Sequence, residues 1–180
     1  MFAKLPCIFT STDQDWDYFK TDKCFVKFYS EKRGGGSYFY SLNDHPHLTN
    51  LLQPDLFKIP PTIVSYCEFT GPGLVTPHRD QGDRVALNFY LDTDDGITIF
   101  YREARVPVVD TKLPRLTLTS PVEDLIETDR FSAQRFDCYL LDVSMIHGIQ
   151  KYTDTPRTMI TFRWRNHDYK TILNSLNFTK

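Results

Sequence analysis

His78 and Asp80 stand two residues apart in the segment Pro77-His78-Arg79-Asp80. In an extended chain that spacing turns an imidazole and a carboxylate to the same face, the geometry of a chelating pair. Alone, the triplet is a weak signal, because a strand-end histidine is often satisfied by a local hydrogen bond and an aspartate there often serves a turn. His147, at the end of a later strand, supplies a second imidazole. Two neutral imidazoles and one carboxylate form the facial ligand set that leaves positions open on Fe(II). H-R-D also opens the catalytic loop of protein kinases, but that loop requires Asn five residues beyond the aspartate, and Val85 stands there.

Arg157 follows ten residues after His147, across the turn-like Tyr152-Thr153-Asp154-Thr155-Pro156. If the flanking strands form a hairpin, the guanidinium returns to the neighbourhood of His147. Its planar fork suits a carboxylate held by two charge-assisted hydrogen bonds. It would then anchor the far end of a dicarboxylic cosubstrate whose near end chelates the metal.

The order H-x-D, distant His, Arg at plus ten resembles the Fe(II)/2-oxoglutarate-dependent dioxygenases, in particular the prolyl-4-hydroxylase-like branch. Tyr90-Leu91-Asp92 followed by Gly96-Ile97-Thr98-Ile99-Phe100 is similar to that branch's Tyr-Leu-Asn and Gly-Glu-Thr-x-Phe. Ser65-Tyr66, the glycine turn Gly71-Pro72-Gly73 and His147-Gly148-Ile149 resemble its Arg-Tyr, glycine turn and H-x-V. The resemblance spans roughly residues 60 to 165, with Ser65 in place of Arg and Arg157 where many members of the branch carry Lys. It implies that His78, Asp80 and His147 hold Fe(II) and that Arg157 binds 2-oxoglutarate, with Tyr66 and Thr98 as further cosubstrate contacts; Asn88 is a candidate cosubstrate contact beside them. It also implies O2 as oxidant, ascorbate as candidate reductant, and hydroxylation of an unidentified substrate. Two alternatives stand beside it: a cupin-like metalloenzyme that uses no 2-oxoglutarate, with Arg157 on the substrate, and a non-catalytic jelly-roll binding module.

The elements that must position these residues are strands. Thr62 to Phe69, Arg84 to Leu91, Ile97 to Tyr101, Asp137 to Val143 and Arg157 to Trp164 are β-branched and aromatic runs bounded by turn formers. Many short strands with turns between them predict a mainly β fold, a double-stranded β-helix or jelly roll. Short helical or irregular N-terminal elements are expected to buttress one sheet. Strand parity sets Asn88 and Tyr90 opposite Leu87 and Phe89, on a face read as a wet barrel mouth, with Tyr90 a candidate substrate contact. Arg157, Met159, Thr161, Arg163 and Arg165 share one parity, so Arg163 is a second candidate for an acidic or phosphate-bearing substrate. Val106 to Arg135 reads as an irregular excursion with a short helical turn. His45 and His47 straddle Pro46 in a solvated loop, Gly34-Gly35-Gly36 reads as a turn into a strand or a flap, and His167 as a surface residue.

Composition bounds the rest. A chain of 180 residues, 41% hydrophobic and 24% charged, fits one soluble globular domain over 1 to 180. A formal net charge of -2 offers no overall basic field for a nucleic-acid backbone. Nucleic acid therefore ranks below a peptide or small molecule as substrate. Cys7, Cys24, Cys67 and Cys138 form no C-x-x-C pair, and no apolar run is long enough for a signal peptide or membrane span. These features predict a cytoplasmic protein without membrane contact.

Overall fold

The run Val85-Ala86-Leu87-Asn88-Phe89-Tyr90-Leu91 is buried at every position. A strand buried on both faces must be covered on both faces, and the architecture follows from that need. The computed structural model describes residues 1–6, 26–30, 35–41, 56–69, 72–80, 82–93, 96–104 and 122–177. In chain order the strands are β1 (Phe2–Leu5), β2 (Val26–Ser30), β3 (Gly35–Ser41), β4 (Ile63–Phe69), β5 (Gly73–His78) and β6 (Val85–Asp92). They continue with β7 (Ile97–Glu103), β8 (Leu125–Ser132), β9 (Cys138–Asp142), β10 (Ile146–Lys151) and β11 (Arg157–Trp164), before the helix α1 (Tyr169–Ser175).

A seven-stranded sheet runs β1-β9-β6-β11-β4-β3-β2 and a four-stranded sheet runs β5-β10-β7-β8. All pairings are antiparallel, and those of the last eight strands are nested: β4 with β11, β5 with β10, β6 with β9, β7 with β8. Successive nested pairs alternate between the sheets, so a long antiparallel ribbon is wound on itself. That is the jelly roll expected from the strand pattern.

Two apolar layers hold it. Between the sheets lie Cys67, Tyr90, Phe100, Phe131, Tyr139 and Met159. Outside the large sheet, Val64, Leu87, Phe89, Ile160, Phe162 and Trp164 pack under α1 through Tyr169 and Ile172. Asp168 caps that helix, its Oδ1 accepting from the Thr171 backbone N–H at 2.8 Å.

The expected short N-terminal helical or irregular elements fall largely on 7–25 and 42–55, outside the described residues; the N-terminal elements that are described are strands that extend the large sheet, and the one α-helix among the described residues is C-terminal. Two expectations are corrected. Of 106 to 135 the described residues begin at Val122: the expected short helical turn is a 3-10 turn at Val122–Asp124, but it leads into β8, an edge strand whose charged residues are exposed while Phe131 packs inward. β10 and β11 form no hairpin, for β10 pairs with β5 and β7 while β11 pairs with β4 and β6. Gly34, His45 and His47 lie outside the described residues, whereas Gly35 and Gly36 begin β3.

Candidate metal centre

His78 ends β5 and His147 lies directly opposite it on β10. Their rings are 4.6 Å apart between centroids. Asp80 follows just beyond β5, its backbone N–H donating to the Val143 carbonyl at 3.1 Å. Asp80 Oδ1 stands 3.4 Å from His78 Nε2 and 4.0 Å from His147 Nε2. One donor atom from each of the three lies within 4.8 Å of the others.

The donor set fits a divalent cation on its own chemistry. His78 Nδ1 donates to the Thr76 carbonyl at 2.8 Å, and His147 Nδ1 donates to the Met145 carbonyl at 3.0 Å. A carbonyl only accepts, so each ring carries its proton on Nδ1 and offers the Nε2 lone pair to the shared point. Burial lowers the His147 pKa, opposed by Asp80 and reinforced by His78, which favours the neutral, ligating imidazole. Burial pushes the Asp80 carboxyl up, yet the Arg163 guanidinium holds it well below the usual carboxylate range.

Arg163 is placed differently from its sequence reading. Its Nη1 donates to Asp80 Oδ2 at 2.6 Å and to Asp83 Oδ2 at 3.3 Å, while Arg165 Nε reaches Asp83 Oδ1 at 3.3 Å. The guanidinium is committed to the carboxylate that completes the cluster rather than turned toward a substrate. It occupies one Asp80 oxygen and leaves the other facing the imidazoles. Asp83 was not singled out from the sequence; its only signal there is a carboxylate three residues after Asp80.

Arg157 enters the same inter-sheet space from β11 by crossing it, not by a hairpin. Its Nη2 donates to Thr98 Oγ1 on β7 at 2.9 Å, and its guanidinium lies 5.0 Å from the Tyr90 ring centroid. The residue is 1% exposed, and its Nε and Nη1 have no hydrogen-bond partner among the described residues. Thr98 pairs with Ile149 and Phe100 with His147, so the guanidinium is held about one pleat repeat, about 7 Å along the strand, from the His147 row.

Asn88 and Tyr90 share the inner face, as parity required, but that face is packed: Asn88 is 8% and Tyr90 0% exposed. Thr161 Oγ1 donates to Asn88 Oδ1 at 2.8 Å, and Asn88 Nδ2 donates to the Tyr90 hydroxyl at 3.4 Å. The chain of donors ends on a tyrosine whose own O–H has no acceptor among the described residues. Tyr66 is not part of this space. It pairs with Ile160, on the outer face of the large sheet, and its hydroxyl meets Glu68 Oε2 at 3.5 Å. Burial and the Glu68 and Asp92 carboxylates raise its pKa. Ser65 and Cys67, one residue to either side, are the β4 residues registered with the inner positions Thr161 and Met159.

No protein-family model and no curated protein matches this chain. Solved structures that it resembles include vicilin from Capsicum annuum, at 12% identity and TM-score 0.48 over 78% of this chain and 30% of that one. A Bacillus subtilis oxalate decarboxylase mutant gives 12% identity and TM-score 0.46 over 79% and 28%. Vicilin from Corylus avellana gives 13% and 0.46 over 79% and 32%. The chain thus spans about a third of the length of those proteins. The jelly-roll assignment rests on the nested pairing described above.

Proposed function

We propose that this protein is an Fe(II)- and 2-oxoglutarate-dependent dioxygenase that hydroxylates a peptide side chain or small molecule. The observation that carries the reading is Arg157, a buried cation with two nitrogens unpartnered among the described residues, in the same inter-sheet space as the His78, Asp80 and His147 cluster. An uncompensated buried charge is costly, and its presence points to an anionic ligand. A site that pairs a metal face with a fixed guanidinium suits a dicarboxylate chelated at one end. When bound, iron and 2-oxoglutarate supply the oxidising chemistry, with O2 as oxidant and ascorbate as reductant.

The chain's own residues bind, orient and exclude water. His78 and His147 present Nε2 because the Thr76 and Met145 carbonyls take their other protons. Arg163 keeps Asp80 ionised and occupies its second oxygen. Arg157 and Thr98 hold the distal carboxylate, and Tyr90, fed by Asn88, offers a further O–H to the same ligand. Phe100 walls the His147 side at 6.0 Å between centroids, leaving little room for bulk water. A cytoplasmic setting belongs to this reading, in keeping with four cysteines that form no C-x-x-C pair. No helix among the described residues is long and apolar enough to cross a membrane.

The test is anaerobic addition of Fe(II) and 2-oxoglutarate. A visible charge-transfer band is expected with the native protein and none with His78→Ala. Metal uptake without succinate formation on aeration in the presence of candidate substrates would favour the metalloenzyme that uses no 2-oxoglutarate. Absence of both metal uptake and the band would leave a binding module.

A further inference from the structure

The pairing of β5 with β10 is interrupted beside the metal cluster. His147 faces His78 and Ile149 faces Val75, so two residues of β5, Thr76 and Pro77, stand opposite the single residue Gly148. On its other side β10 pairs with β7 without interruption, from Ile146 opposite Tyr101 to Gln150 opposite Ile97. The extra residue therefore belongs to β5.

This bulge decides which way His78 points. Val75 and His78 are three residues apart, which in a regular strand sets them on opposite faces. Their partners Ile149 and His147 are two apart and share a face. Had the register of Ile149 with Val75 simply continued, His147 would lie opposite Pro77, and the His78 imidazole would turn to the other side of the sheet. The one-residue slip brings it back.

The local sequence suits the slip. Pro77 has no N–H to leave orphaned, and it lies on β5, an edge of the four-stranded sheet, where proline is tolerated. At Gly148 an added Cβ would lie 2.8 Å from the Val75 carbonyl oxygen and 3.4 Å from Pro77 Cα. Both contacts are to backbone, which must shift as a whole, so the bulged strand fits only over a residue without a side chain. The Thr76 carbonyl, within the bulge, accepts from His78 Nδ1 at 2.8 Å.

We infer that the Thr76-Pro77 bulge, seated on the bare backbone of Gly148, turns His78 to the inner face and fixes its Nε2 toward His147, making Gly148 a positioning residue of the metal centre. The inference rests on the metal-binding reading of His78, Asp80 and His147.

Co(II) is the probe, since its visible absorption reports both affinity and ligand geometry. Native protein is expected to bind it with a resolved ligand-field spectrum. Gly148→Ala is expected to bind at least tenfold more weakly, with an altered spectrum, while its metal-free form still unfolds cooperatively. A Gly148→Ala protein with native affinity and spectrum would overturn the inference. Should that variant not fold, proton NMR of the native Co(II) complex decides: two exchangeable hyperfine-shifted imidazole N–H signals are expected, one from each Nδ1. A single such signal would mean that the Thr76 carbonyl does not hold His78, and the inference falls. Native protein that takes up no Co(II) would remove the metal reading itself, and the inference with it.

Discussion

Arg157 and Arg163 lie on one face of β11 and meet opposite electrostatic surroundings, so their replacement has opposite consequences. Arg157 touches the Thr98 hydroxyl and the Tyr90 ring, with no carboxylate among the described residues. Arg157→Met removes an uncompensated buried charge and is expected to stabilise the ligand-free protein by about 1–2 kcal/mol in urea unfolding. The same variant should lose the 2-oxoglutarate-dependent rise in melting temperature. Arg163 instead pairs with Asp80 at 2.6 Å, both side chains being largely buried at 14% and 18% exposed. Arg163→Met strands that carboxylate and is expected to destabilise by about 3 kcal/mol. Added Co(II) should recover part of that loss, because a cation again faces Asp80. These roles were only half legible beforehand. The spacing of the arginines placed both on the inner face, but charge type alone does not say which one finds an anion from the chain and which waits for one from solution.

β6 was readable because its apolar run has no solvent side to interrupt it, and β11 because β-branched and aromatic residues predominate between its arginines. β8 was not: Leu-Ile-Glu-Thr-Asp-Arg-Phe-Ser reads as polar because an edge strand spends its charges on solvent and packs chiefly through Phe131. Tyr66 shows the limit within a correctly placed strand. Its type suited a ligand contact, but parity with Val64 and the pairing with Ile160 set it in the outer layer. The two layers are separable by experiment. Asp168→Ala at the cap of α1 should lower stability by about 1 kcal/mol, and Leu87→Ala beneath that helix by about 3 kcal/mol. Neither should change Co(II) affinity, since both lie on the far side of the large sheet from the cluster.

At the scale of the whole molecule, the candidate site draws on both sheets. Arg157 from the large sheet and Thr98 from the small one already share a hydrogen bond, and His78 and His147 come from the small sheet while Arg163 holds Asp80 from the large. Ligands that bind the native state and not the unfolded chain stabilise it by mass action. At about one hundred times the dissociation constant the gain is about 2.7 kcal/mol, or about 5–10 °C in melting temperature for a chain of this size. Scanning calorimetry should show that rise for 2-oxoglutarate in the presence of Co(II). Without metal the rise should be smaller, because Arg157 and its neighbours then hold the dicarboxylate at one end only.

The sequence by itself determined the strands β4, β6, β7, β9 and β11, the candidate ligand types His78, Asp80 and His147, and the inward parity of Arg157, Asn88 and Tyr90. Those are properties of period and residue chemistry, which short-range geometry carries. β5, β8 and β10 stood outside its strand pattern. Only the tertiary structure decided that β10 and β11 belong to different sheets, that Arg163 completes Asp80 rather than a substrate site, and that Tyr66 faces outward. It also decided that His78 faces His147 at all. A single extra residue in β5 inverts every facing beyond it, and whether a strand absorbs that residue in a bulge depends on the neighbouring backbone at Gly148, which no local pattern records.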